Sequence, residues 1–289
     1  MTRRDAYIAL KKQLEPYSGE SAAAEAQFML EHLCGIGRTE LLLHGEVELP
    51  AGQAARLSAS AARRVQGEPL QYITGKADFM GMTLKVGPGV LIPRSDTEFA
   101  VVCAAGLLRD CTNPVVEDLC SGTGCIALAL ERELCGGTFY AVEWEETAYS
   151  YLLENLTVFH SRVRPLRADV TKRESAALLG ACDLIISNPP YIKESERELM
   201  GRDVLEFEPV SALFAEEDGL FFYRKIIENY LPALKPGGYF VFEIGFSQGA
   251  EVSGLLRAAG LQEIAVHRDF SGNDRVVSAR KKSEAVTGE

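Results

Sequence analysis

The sequence predicts an α/β protein whose main body is a doubly wound, mostly parallel sheet with an antiparallel edge strand, preceded by a small helical domain. Three observations carry this. From Asn113 onward, short apolar segments alternate with stretches of helical spacing, the pattern of a parallel sheet flanked by helices. Up to about residue 66, apolar residues recur at helical spacing with no strand-like run between them. After the last helix, two strand-like segments follow one another directly, which puts antiparallel pairing at one edge.

In chain order, "AYIALKKQL", "AAAEAQFMLEHLCGI" and "AGQAARLSASAARRVQ" are the expected helices of a bundle, with Gly35 and Gly37 marking a helix end. This domain is assigned to residues 1–74. Residues 75–112 then read as a connector: two alternating segments around Gly81 predict a hairpin, Gly87-Pro88-Gly89 a turn, and "TEFAVVCAAGLL" a helix that Ser95 and Glu98 would open as a capping box. Residues 113–283 hold the sheet. Its expected strands are "PVVEDLC", "TFYAVE", "VRPLRAD", "CDLIIS", "GYFVFEIG", "LQEIAVHRD" and "DRVVSARK", with helices beginning near 122, 145, 171, 219 and 247. The closing "KKSEAVTGE" reads as a frayed end.

Composition narrows the class. The 289 residues, 47% hydrophobic and 25% charged, suit a globular protein of one or two domains. The amphipathic N-terminus "MTRRDAYIALKKQLEPY" is unlike a signal peptide, and no segment approaches ~18 uninterrupted apolar residues, so a cytoplasmic location away from membranes is expected. Seven cysteines without a C-x-x-C pair argue against a disulfide framework and against a zinc site, and no metal is expected; they read as small buried hydrophobes. Residues 1–80 carry 9 Lys/Arg against 10 Asp/Glu, and the remainder 21 against 31, so nearly all of the net charge of −11 lies beyond residue 80. Direct nucleic-acid binding, which rests on a basic footprint, is not expected.

"VVEDLCSGTGCIALAL" passes from strand to helix through Gly122 and Gly124, where the backbone can turn sharply and approach a ligand with the free N–H groups of a helix start. Gly122-x-Gly124-x-x-Ala127 also fits a dinucleotide fingerprint, so an NAD-dependent oxidoreductase is one reading of this loop taken alone. Glu143, at the end of the second strand, suits the hydroxyls of a ribose. Asp169, at the end of the third, suits an adenine amino group or the capping of a helix at Thr171.

The fourth strand runs into Asn188-Pro189-Pro190-Tyr191, which a doubly wound sheet places beside the first loop. Two prolines remove two donors and fix two φ angles, so the Asn188 side chain and the Pro189 carbonyl stand as rigid acceptors without local partners. The four histidines, at 32, 44, 160 and 267, lie outside these loops, and no Ser/His or Cys/His constellation suggests nucleophilic catalysis.

These residues carry a resemblance. The glycine loop, the acid after the second strand and N-P-P-Y after the fourth resemble amino-methylating S-adenosylmethionine-dependent methyltransferases. More narrowly, "PLQYITGKADFMGMTLKVGPGVLIPRSDTE", "DLCSGTGCIALAL", "ISNPPYI", Glu208-Pro209, Asp218 to Leu220 with Tyr223-Arg224, and "LKPGGYFVFEIGFSQG" are similar to the peptide chain release factor N5-glutamine methyltransferases, over roughly residues 68–280. The resemblance implies a Rossmann-like methyltransferase sheet and methylation of the glutamine of a Gly-Gly-Gln loop in class 1 release factors, which the helical domain would dock. It implies S-adenosylmethionine bound by Cys120, Ser121, Gly122, Thr123, Gly124, Glu143, Asp169, Val170 and Asn188. It also implies that Asn188 and Pro189 hold the target amide, with Pro190 stiffening the wall and Tyr191 packing on the amide plane. An N6-adenine DNA methyltransferase would share the NPPY segment, though not a chain without a basic groove.

The chain departs from the family pattern at Cys120, where glycine is common, at Glu143, where aspartate is common, and at "FAEE" before Asp218, where a glycine-rich stretch is common. Arg94 and Thr97 are candidates for lining the site and Glu208-Pro209 for shaping the loop above it, while the part played by Glu243 stays open between ligand contact and buried pair.

Overall fold

A computed structural model describes residues 1–283; the last six residues of the predicted frayed end lie outside the described residues. The chain forms two compact units, one of residues 1–77, 86–88 and 201–207, the other of 78–85, 89–200 and 208 onward.

The first unit is helical, built from α1 (Arg3–Ser18), α2 (Ala22–Cys34), α3 (Arg38–His44), α4 (Ala51–Val65) and α5 (Leu70–Thr74). Helix α1 starts where it does because Thr2 and Asp5 form a reciprocal cap: the Thr2 hydroxyl accepts from the Asp5 N–H at 3.1 Å, and the Asp5 carboxylate accepts from the Thr2 N–H at 3.0 Å. Helix α2 ends on Gly35, left-handed at φ 71°. Leu10 and Leu14 of α1, Met29 and Leu30 of α2 and Leu57 of α4 close the core. Arg64 clamps Glu25 through two bonds of 2.9 and 2.8 Å, joining α4 to α2. The short helices α3 and α5 were not expected; seven and five residues are too few for apolar periodicity to stand out.

In the second unit a seven-stranded sheet is built from β3 (Val115–Leu119), β4 (Thr138–Glu143), β5 (Arg164–Arg167), β6 (Cys182–Ser187), β7 (Leu234–Glu243), β8 (Gln262–Arg268) and β9 (Asp274–Arg280), after a hairpin of β1 (Lys76–Phe79) and β2 (Met82–Lys85) around Gly81. The spatial order is β5-β4-β3-β6-β7-β9-β8, parallel through β7 and antiparallel at β9 and β8. Every strand of this sheet was expected, and so was the antiparallel edge. The strand order reverses at β3, which pairs with β4 on one side and β6 on the other; Leu119 stands opposite both Val142 and Ser187. The loops leaving β3 and β6 therefore emerge side by side. The Ser187 hydroxyl donates to the Leu119 carbonyl at 2.6 Å and bolts the two strand ends together.

Helices α6 (Ser95–Leu107), α7 (Cys125–Glu133), α8 (Glu146–Val158) and the one-turn α9 (Arg173–Ala176) precede β6. Between β6 and β7 come α10 (Arg202–Phe207), α11 (Val210–Leu213), α12 (Glu216–Gly219) and α13 (Phe221–Tyr230), and α14 (Gly249–Ala258) follows β7. Three expectations are corrected. Ser95 does not cap α6: Arg94 is the cap residue, and Glu98 accepts from the Met80 N–H at 2.8 Å, so a tertiary partner takes the carboxylate. Strand β5 stops at Arg167, which leaves Asp169 in a turn, and β7 starts at Leu234 rather than Gly238, the register shifting between Cys182 and Leu184. All seven cysteines are free thiols, but only Cys125 and Cys182 are buried and Cys135 is exposed. Among the described residues no helix is long and apolar enough to cross a membrane, and no group of three or more His, Cys, Asp or Glu could hold a metal ion.

Candidate active site

A cleft of about 280 Å³ opens over the carboxyl ends of β3, β4 and β6. Of the residues singled out in the sequence, Cys120, Ser121, Gly122, Thr123, Glu143, Asp169, Val170, Asn188 and Pro190 line it, and so do Arg94 and Thr97. Gly124, Pro189 and Tyr191 do not.

The glycine loop is shaped by backbone conformation. Cys120, Gly122 and Gly124 are left-handed, with φ of 60°, 55° and 80°. An added Cβ at Gly122 would have its nearest neighbour, the Val90 side chain, 3.8 Å away, so the missing side chain leaves room within the cleft. At Gly124 a Cβ would lie 2.5 Å from Leu152 Cδ1; this glycine is needed for packing α7 against α8. Asn155 braces the loop from α8, donating to the Thr123 carbonyl at 3.1 Å. Beneath it, Asp118 accepts from the Ala127 N–H at 3.2 Å, and complete burial pushes its carboxyl up to about 8.

Glu143 is the hinge pin of this wall. One carboxylate oxygen accepts from the N–H groups of Trp144 and Glu145 and the other from Gly122, each at 2.8 Å. Burial raises its pKa, and the three backbone donors oppose that rise. With four lone pairs and three bonds, the carboxylate retains room for one more donor on the Gly122 side. Asp169 shows the same economy: Oδ1 takes the Thr171 N–H at 2.9 Å and the Thr171 hydroxyl at 2.7 Å, holding the turn before α9, and Oδ2 stays outside both bonds.

The NPPY segment is held mainly by side chains. Asn188 Nδ2 donates to the Thr97 hydroxyl oxygen at 3.2 Å, which leaves Oδ1 as the free acceptor of the amide. The Tyr191 carbonyl accepts from Gln248 Nε2 at 3.1 Å. The Tyr191 ring packs into the core cluster beside β7, and its hydroxyl lies against Glu243; burial raises its pKa well above the usual tyrosine range. Tyr191 thus supports the site from behind. Gly219 passes so close that a Cβ there would lie 2.3 Å from the Tyr191 carbonyl oxygen, and the preceding Glu217 and Asp218 are left-handed at φ 54° and 57°.

Arg94, a candidate for lining the site, and Glu208, a candidate for shaping the loop above it, form an ion pair, and Glu208 also accepts from the Ile92 N–H at 3.1 Å. The buried Glu208 carboxylate so ties the Val90–Arg94 wall to the Pro209 segment. Sequence reasoning missed Val90, Leu91, Trp144 and Phe222 as lining residues. Trp144 carried a signal: it is the one tryptophan of the chain, directly after the acid of β4, and it stays 57% exposed.

With this geometry in view, the comparisons with known proteins are consistent among themselves. A family model described as the PrmC N-terminal domain matches residues 5–75. A methyltransferase from Pyrococcus furiosus shares the fold, with a TM-score of 0.52 at 16% identity over 80% of this chain and 99% of that one. The release factor glutamine methyltransferase of Salmonella typhimurium is 38% identical over 263 residues, 90% of this chain and 93% of that one. That of Clostridium botulinum is 32% identical over 279 residues, 96% and 97% of the two chains. Alike at this level along nearly its whole length, the chain belongs to the family of release factor glutamine methyltransferases.

Proposed function

We propose that this protein transfers a methyl group from S-adenosylmethionine to the side-chain nitrogen of the glutamine in the Gly-Gly-Gln loop of class 1 release factors. The observation that carries the proposal is the Asn188 amide: its nitrogen is engaged by Thr97, and its oxygen is left as a fixed acceptor in the cleft that the glycine loop also lines.

The residues present fit the cofactor. The space left by the absent Gly122 side chain admits a ligand close to the backbone, and the remaining acceptor of Glu143 suits a ribose hydroxyl. Asp169 Oδ2 suits an adenine amino group, and Val170 and Phe222 supply apolar wall for a flat ring. When bound, S-adenosylmethionine supplies a sulfonium-activated methyl group.

The protein's own task is to present the acceptor. An amide nitrogen is a poor nucleophile because its lone pair is conjugated with the carbonyl; the rotation barrier of ~18–20 kcal/mol sets the scale. Asn188 Oδ1, which lines the cleft, accepts an N–H bond of the glutamine amide, aims its nitrogen and stabilises the positive charge that grows on it; the Pro189 carbonyl, expected as the second acceptor, belongs to a residue outside the cleft lining and would serve only where substrate reaches past it. Orientation of this kind is worth on the order of 7–11 kcal/mol, so no general base has to act before transfer; the N–H proton displaced by the new N–C bond is lost to solvent afterwards. The deciding experiment is mass spectrometry of a release factor incubated with the protein and S-adenosylmethionine. One added methyl on the Gly-Gly-Gln glutamine is expected; no methyl there, with methylated adenine in a parallel DNA reaction, would overturn the substrate.

A further inference from the structure

We propose that Arg275 is a positioning residue which, through Asp96, sets the first turn of α6 and with it the Thr97 hydroxyl that holds Asn188. The inference deepens the function proposed above and rests on it for the consequence in turnover. The placement itself rests on side-chain contacts within the second unit.

Helix α6 starts without a local cap, because the Arg94 side chain at the cap position makes no capping bond. What fixes its first turn comes from other parts of the chain, and four consecutive side chains reach four different partners. Asp96 pairs with Arg275 at 3.2 Å, and Thr97 accepts from Asn188 Nδ2 at 3.2 Å. Glu98 accepts from the Met80 N–H at 2.8 Å, and the Phe99 ring meets that of Phe270 edge-on, with centroids 6.0 Å apart. Asp96 and Phe99 thus both lean on the start of β9 and the loop before it.

Arg275 is held on its other sides. Strand β9 runs antiparallel to β7 with Val276 opposite Glu243, so Arg275 stands at the edge of the sheet from which the loops after β3 and β6 also leave. Its Nε donates to Asp269 Oδ2 at 3.2 Å, its Nη1 reaches the Ile244 carbonyl at 3.5 Å, and Nη2 is left for Asp96. Asp269 is a firm anchor, since its Oδ1 accepts from the N–H groups of Ser271 at 2.9 Å and Asn273 at 3.0 Å. The Arg275 and Asp269 side chains are nearly buried, whereas that of Asp96 is 48% exposed. An ion pair so open on one side adds little to stability. Its effect is geometric: a planar fork already fixed by Asp269 and Ile244 offers Asp96 one place to sit.

From Asp96 to the site is a single residue. Thr97 is buried, and its hydroxyl oxygen is the partner of Asn188 Nδ2, so a shift of the turn passes to the amide that lines the cleft. Misplacing a reacting group by about 1 Å costs on the order of 10²-fold in rate. A turn freed from Arg275 but still tied by Glu98 and Phe99 moves less than that, and a loss on the order of tenfold follows.

The test uses the full chain and the variants D96N, R275Q, T97V and R275Q/T97V. D96N and R275Q are each expected to lower kcat about tenfold, with KM for the release factor and calorimetric affinity for S-adenosylhomocysteine within about twofold of wild type. Because Arg275 acts through Thr97, adding R275Q to T97V costs less than about twofold more. D96N leaves Arg275 and its bonds to Asp269 in place, and so decides the question should R275Q fail to fold. Wild-type kcat in D96N, a loss confined to KM, or the full tenfold cost of R275Q on top of T97V overturns the inference. A readout without substrate keeps it separate from the proposed function: in NMR spectra of the protein, the nuclear Overhauser contact between the Asn188 side-chain amide protons and Thr97 is present in wild type and weakened in D96N. An unchanged contact sinks the role of Arg275 even where glutamine is methylated, and a weakened contact sustains it even where glutamine is not the acceptor.

Discussion

The two loops that meet at the sheet's switch point are held by different means. The glycine loop after β3 takes its shape from the backbone: three left-handed residues, a Gly122 N–H held by the Glu143 carboxylate, and an asparagine reaching in from α8. The NPPY loop after β6 takes its shape from two rigid prolines and then from side chains, Thr97 on Asn188 and Gln248 on the Tyr191 carbonyl. A backbone-built wall tolerates changes of side-chain chemistry and fails when a Cβ is added. A wall held by side-chain contacts behaves in the opposite way, failing when donor and acceptor are exchanged at constant shape. The proposed function places binding on the first loop and turnover on the second.

Variants can break that division. The largest effect is expected from Asn188→Ala: kcat falls roughly 10²–10³-fold, while affinity for S-adenosylhomocysteine by calorimetry stays within about threefold. Equal loss of both would make Asn188 a structural residue and erase the contrast. Gly122→Val comes next. A left-handed L-residue costs ~1–2 kcal/mol, and a branched side chain enters the cleft beside Val90, so cofactor affinity drops by more than about tenfold. Retained affinity would move the cofactor elsewhere. The smallest effect sharpens the comparison from the favourable side. Cys120 is left-handed at φ 60°, so Cys120→Gly removes a strain of ~1–2 kcal/mol at a cost of ~0.5–1 kcal/mol in unfolded-chain freedom. The thermal midpoint should rise by about 1–3 °C with unaltered turnover, and a lower midpoint would mean that Cys120 contributes more through packing than it costs in strain.

Most of the sheet could be read from the chain because buried parallel strands are continuous apolar runs bounded by turn residues, as in "CDLIIS" before Asn188. The loops of the cleft could be read for the same reason, since they begin where those runs end. What escaped was made by partners distant in sequence. Glu98 looked like a local cap and instead holds the Met80 N–H. Thr97 stayed ambiguous because the residue it holds lies far along the chain, 91 positions away at Asn188. The short helices between residues 194 and 219 escaped because single turns carry no period, and two of their residues take left-handed angles that side chains rarely adopt.

The helical unit is not contiguous: residues 201–207 complete it, and the Phe207 ring reaches within 3.7 Å of where a Gly67 side chain would begin. During synthesis the first 77 residues leave the ribosome long before their last helical turn exists. The unit that opens the chain is therefore finished only after β6 of the sheet has emerged, and a fragment cut after residue 77 would lack one of its own walls. The unit that appears first therefore waits for a segment spelled out about 120 residues later, between two strands of the other unit, and pulse-labelled hydrogen exchange on stalled chains of increasing length would record the helical unit gaining protection only once residue 207 is free.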